Sequence, residues 1–222
     1  MDWRHLASEL DQDLQHHEIR HRLDHRFATG LANPVSADTI TVCVEGCDYA
    51  TVDAAIAVAN DGDLIQLAAE TYPLTEQIET LGKAIEIRGT VDTSGDPTSI
   101  LDGGNTTRIL SAWGSGRVIL RDLVFANGNT EGDGGGVFSR IPMQISNCWF
   151  LNCLAGDDGG GLYLQSAHDS SVTMTTFQNC DGGGGGGGAH VEYSSGCVFE
   201  SSSFLSCEGT SGGGLHVTYE IG

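Results

Sequence analysis

Four ring-bearing side chains recur at matching places in the second half of the chain. Phe138, Tyr163, His190 and His216 each lie just after a run of glycines, on a segment that reads as a short strand. Alternate residues of a strand point to opposite faces. Val137, Leu162, Leu164, Ala189, Val191, Leu215 and Val217 then face inward, and the four rings form one outward column with Arg140, Gln165, Glu192 and Thr218 beside it. Rings along a groove suit the faces of sugars, and polar neighbours suit hydroxyls. Phe138, Tyr163, Gln165, His190, Glu192 and His216 are therefore the expected ligand-binding residues. Imidazoles one repeat apart also come within reach of one metal ion, with Glu192 as a third ligand, and either can serve as a general base. The plain alternative is a water-exposed sheet face that binds nothing.

A second set of residues is acidic. Glu131, Asp133, Asp157, Asp158, Asp181 and Glu208 precede successive glycine runs. Carboxylates stacked along one edge concentrate negative charge, which Ca²⁺ relieves by accepting several oxygen ligands. Asp133, Asp157, Asp158 and Asp181 are the expected Ca²⁺ ligands. Against this, the GGxGxD nonapeptide that binds Ca²⁺ in other solenoids is absent, and solvated turn acids are the alternative. His17, His21 and His25 have the i, i+4, i+8 spacing of a helix face that can hold a metal, or simply meet water. Cys43 and Cys47, in the loop CVEGC, are the expected disulfide. Seven cysteines leave at least one thiol unpaired within the chain.

The elements that must position these residues are announced by a repeat. Phe125, Phe150, Phe177 and Phe204 recur at intervals of 25, 27 and 27 residues. An apolar residue stands five places before each: Leu120, Ile145, Val172 and Phe199. Asn127, Asn152, Asn179 and Ser206 follow each Phe by two places, and Cys153, Cys180 and Cys207 adjoin the last three of these. The blocks GGGVF, GGGLY, GGGAH and GGGLH complete each unit. A unit of about 26 residues with short β segments and no helical period reads as one coil of a parallel β-solenoid, which buries its apolar face only by stacking on its neighbours. The phenylalanines then form an interior stack, the asparagines a hydrogen-bonded column, and the cysteines small buried thiols at a tight corner.

Upstream, LIQL from Leu64, AIEI from Ala84, SIL from Ser99 and RIL from Arg108 read as strands between turn-rich segments. Residues 49–60 (YATVDAAIAVAN) form the one convincing helix of the body. Its apolar face is Val52, Ala55, Ile56 and Ala59, placed to cap the first coil. Residues 1–38 read as an amphipathic helical leader and linker, without the apolar core of a secretory signal. The chain stops just after a GGG strand, so the expectation is a β-helix domain over 39–222 that is incomplete at its C-terminus, open to end-to-end self-association or further coils.

Composition narrows the function. Thirty acidic against ten basic residues leave a net charge of −20, which argues against a nucleic-acid ligand. No apolar run approaches the ~18 residues of a membrane span. All ten basic residues lie at or before Arg140.

From about Asp38 onward, the run DYATVDAAIAVANDGDLIQLAAETY, then KAIEIRGT, then the N-G/N-C and GGG repeats resemble the right-handed parallel β-helix superfamily that includes pectate lyases. The likeness is to bacterial secreted and surface members with GGG-type repeats. The resemblance implies an all-β, right-handed parallel β-helix with an N-terminal capping helix, outside the cell or on its surface. It also implies a role in binding polysaccharide or a cell-surface glycan, or in building an extended surface structure. Lyase or hydrolase activity is the alternative. A lyase needs a basic residue beside a uronate and Ca²⁺ on the sheet. No lyase-like basic motif surrounds Arg117, Arg121 or Arg140, so no catalytic residue is carried over.

Overall fold

The computed structural model describes residues 37–219; the leader expected over 1–38 lies almost wholly outside them. Among the described residues, apart from one helix, every regular element is a short strand in a parallel sheet. Each coil visits the sheets in the same order, so equivalent strands stack rung upon rung as a β-solenoid. One sheet has seven rungs, from Thr39–Val42 to Val198–Glu200, and the next has six, from Thr71–Pro73 to Ser203–Leu205. A short sheet of four two-residue strands, Asn129–Thr130 to Glu208–Gly209, makes a corner. The last sheet carries Ile78–Glu79, Leu110–Ala112, Val137–Ser139, Leu162–Gln165, Ala189–Glu192 and Leu215–Thr218.

The register matches the repeat. Phe125 pairs with Phe150, Phe150 with Phe177, and Phe177 with Phe204. Their rings stack at 4.8, 4.7 and 4.8 Å, the rung spacing itself, and the first three are fully buried. Asn127, Asn152 and Asn179 sit at φ 53–54°, in the left-handed region that Asn tolerates better than most residues. Asn179 donates to Asn152 Oδ1 (3.2 Å), Asn152 to Asn127 Oδ1 (3.4 Å) and Asn127 to Asp102 Oδ1 (2.9 Å), a ladder along the axis. Cys153, Cys180 and Cys207 are free thiols whose Sγ–H groups point at the carbonyls of Phe125, Phe150 and Phe177 one coil back.

The helix is shorter than the sequence suggests, Val52–Val58 rather than 49–60. Tyr49 is held in extended pairing with Val42, and Thr51 is the N-cap, its hydroxyl accepting the Ala54 N–H at 3.3 Å. Ala59 leaves the helix at ψ 148°. Val52, Ala55, Ile56 and Ala59 are buried, as their spacing predicts. Cys43 and Cys47 form the expected disulfide. Upstream strand bounds shift by a residue or two: Glu86–Arg88 and Leu110–Ala112 replace AIEI and RIL. No helix among the described residues is long and apolar enough to cross a membrane.

Candidate functional site

The last sheet aligns the expected column. Ser111 pairs with Phe138, Phe138 with Tyr163, Tyr163 with His190 and His190 with His216. Phe138 and Tyr163 stack at 5.6 Å, Tyr163 meets His190 edge-on at 5.3 Å, and the two imidazoles are 4.8 Å apart.

The expectation of a water-exposed column is corrected. Tyr163 and His190 are each only 3% exposed. Glycine is the reason. Gly159 sits at φ +66°, and a Cβ there would lie 3.0 Å from Tyr163 Cβ, so the turn before the strand folds down onto the ring. The turns thereby bring their acids over the column: Asp158 Oδ2 lies 3.3 Å from His190 Nδ1. That approach falls outside hydrogen-bond geometry, and His190 Nδ1 and His216 Nδ1 are both buried with no hydrogen-bond partner. His190 Nε2 is 2.9 Å from Thr218 Oγ1. Leu215 and Val217, in register with inward-facing Ala189 and Val191, are 37% and 57% exposed on the last described strand.

The neighbouring column is a chain of polar contacts. Arg140 Nε donates to Gln165 Oε1 at 2.7 Å, and Gln165 Nε2 donates to Glu192 Oε2 at 2.8 Å. The Tyr163 hydroxyl donates to the same Glu192 oxygen. Burial, then the bond to Glu192, pushes the Tyr163 hydroxyl pKa well up, so it stays a donor. Burial raises the Asp133 carboxyl pKa, and Asp158, Asp157 and Glu192 add to that by repulsion.

The three-ligand metal site expected at His190, Glu192 and His216 is not assembled. Among the described residues no group of three or more His, Cys, Asp or Glu side chains is placed to hold a metal ion. Glu192 is turned to Tyr163 and Gln165 instead. Of the expected Ca²⁺ ligands, Asp157 and Asp181 are exposed. Asp133 Oδ1 accepts the Asp158 N–H at 3.2 Å, and Asp158 Oδ1 accepts the Gly185 N–H, so backbone amides engage both.

Two residues, Arg108 and Trp113, escaped the sequence reading of this face. Arg108 lies against the Phe138 ring (5.2 Å), donates to the Asp133 and Gly134 carbonyls, and is half-buried; Arg140, already expected beside the column, also lies against that ring, at 5.5 Å. Trp113 follows Ala112, which pairs with Ser139, and so stands beside Arg140 one rung away. It is 50% exposed, with its Nε1–H donating to Glu79 Oε2 at 2.7 Å. Its repeat lacks the GGG block, so the spacing that revealed the later rungs was silent here.

Asp158, His190, Glu192, His216 and Thr218 line an open groove of about 600 Å³, together with Tyr193, Thr210, Ser211 and Tyr219. Trp113 lies three rungs from Glu192, about 14 Å at the usual strand spacing. One continuous face thus joins an exposed indole to a groove rich in hydrogen-bond acceptors. Comparison with known proteins returned no match: no protein-family model, no curated protein and no solved structure is significantly similar to the chain.

Proposed function

We propose that the chain is a carbohydrate-binding β-solenoid module of a secreted or cell-surface protein, related to the pectate-lyase-like superfamily. The observation that carries this reading is the outward face from Trp113 to the groove at Glu192 and His216. An exposed indole offers a flat surface to a sugar ring, and the Glu192, Thr218 and His216 groups suit its hydroxyls. Because Tyr163 and His190 are buried, they support this face from beneath rather than stack on the ligand. The Cys43–Cys47 disulfide is consistent with an oxidising compartment.

The test is retention of the full chain on immobilised polysaccharides, neutral and acidic, compared with Trp113→Ala and Glu192→Gln. Retention weakened by both substitutions is the expected result. No retention on any glycan, with assembly that grows with protein concentration, would favour the self-associating structural reading instead.

One observation favours a second reading. Asp133 holds its proton to higher pH than an ordinary Asp, beside other carboxyl groups, and glycoside hydrolysis needs such a proton-bearing acid paired with a carboxylate. New reducing ends released by the chain and lost in Asp133→Asn would establish it.

A further inference from the structure

The groove is unusual in what it lacks. Two carboxylates, two imidazoles and four hydroxyl-bearing side chains other than Thr218 line it, with no Lys or Arg. The nearest guanidinium in the polar column, Arg140, is two rungs from Glu192 and bonded to Gln165. Asp157, Asp158 and Glu192 all resist ionisation of Asp133, and the guanidinium beside Asp133, Arg108, bonds the Asp133 and Gly134 carbonyls and does not line the groove that holds Asp158 and Glu192. A buried imidazole also lies at the floor. His190 is 3% exposed, its Nε2 contacts Thr218, and its Nδ1 has no hydrogen-bond partner although Asp158 Oδ2 is 3.3 Å away. His216 Nδ1, one rung on, is buried and unpartnered as well.

Acidic side chains and unpaired ring nitrogens together call for a cation that carries its own hydrogen-bond donors. A metal ion needs three or more ligands converging in a fixed geometry, and no such group exists among the described residues. An ammonium asks less: three N–H donors and acceptors within reach, with charge-assisted bonds to carboxylates. We propose that this groove selects glycans bearing free amines, a glucosamine-type polymer rather than a uronate or a fully acetylated chain. The inference rests on the carbohydrate-binding reading and specifies its ligand. A uronate polymer would instead bring negative charge onto a protein of net charge −20.

Calorimetric titration of the full chain with glucosamine, N-acetylglucosamine, glucose and galacturonate oligomers of equal length tests this, with oligolysine as a non-sugar cation. The glucosamine oligomer should bind at least tenfold tighter than each of the others. Glu192→Gln and Asp158→Asn should each lose roughly tenfold, the scale of one charge-assisted bond. Asp96→Asn, which removes the same charge in the distant turn before Ser99–Asp102, should change nothing. Thermal melting of each variant separates lost binding from lost fold. Equal binding of acetylated or neutral oligomers would overturn the amine inference and leave carbohydrate binding standing. Binding of no sugar at all would overturn both. Oligolysine binding as well as the glucosamine oligomer would show a cation site without sugar selectivity, and also overturn it.

Discussion

The first coils and the later ones reach one architecture by different chemistry. From residue 39 to about 112 the core is aliphatic and irregular: Ile65, Leu67, Ile78, Ile87, Leu101 and Leu110, with Tyr72 reaching across to the Val42 carbonyl at 2.8 Å. Charged groups tie this region together. Lys83 Nζ donates to the helix carbonyls of Ile56 and Ala57, and Arg88 pairs with Glu86. From Phe125 on, identical residues stack on themselves and no cation follows Arg140. The asparagine ladder and the thiol-to-carbonyl contacts take over the tying. A solenoid thus needs only an apolar residue at each inward position. Strict repetition adds columns of like side chains, and those columns build the groove.

The sharpest way to break the repetitive region is Phe150→Ala. It empties a fully buried site and strips a stacking partner from Phe125 and Phe177 at once. A loss of about 3–5 kcal/mol is expected in denaturant titration. Ile87→Val, in the aliphatic coils, should lose only about 1 kcal/mol. A loss at Phe150 no larger than at Ile87 would show that stacking adds nothing to burial.

Next is Gly135→Ala. A Cβ at Gly135 would lie 2.1 Å from the Leu154 carbonyl oxygen, backbone that cannot swing aside, whereas Gly132 has nothing within 4 Å. Gly135→Ala should destabilise by about 1–3 kcal/mol and Gly132→Ala hardly at all. Equal effects would remove close coil packing as the reason for the glycine block. Smaller again, Thr51→Ala should lose about 1 kcal/mol by leaving the Ala54 N–H without its cap.

The smallest effect depends on pH. The Asp133 pKa is raised in the folded protein above its ordinary 3.8, so the native state holds the proton longer than the unfolded chain. The contribution of Asp133 to stability should therefore fall as pH rises from about 4 through the raised value, and stay lowered at neutrality. Asp133→Asn keeps an oxygen for the Asp158 N–H and removes that loss. Its Tm should exceed wild type by about 1–2 °C at pH 7, the gain modest because the carboxyl is only half-buried, and should match it near pH 3. A gain that persists at pH 3 would mean the charge is not its cause.

Much of the fold was legible because its period is. The spacing of Phe125, Phe150, Phe177 and Phe204 fixes register, and with it the Asn and Cys columns, since every partner lies one coil away. The same logic aligned Phe138, Tyr163, His190 and His216. It failed where the period lapses: Trp113 and Arg108 lie in a coil with no GGG block, and their part in the same face was invisible. Helix bounds erred because Tyr49 was drawn into pairing with Val42, a long-range contact that no local pattern reports.

What the sequence determined by itself, then, was the coil: its length, its inward residues and the order of its columns, because stacking at a constant rise makes one-dimensional spacing equal three-dimensional neighbourhood. Only the tertiary structure decided which outward residues meet water. Alternation says that Tyr163 and His190 leave the core, but the glycine turns fold back over them and turn a face of rings into an acidic groove with buried imidazoles beneath. That outcome hangs on how closely one backbone passes a neighbouring ring, a distance that pattern alone does not encode.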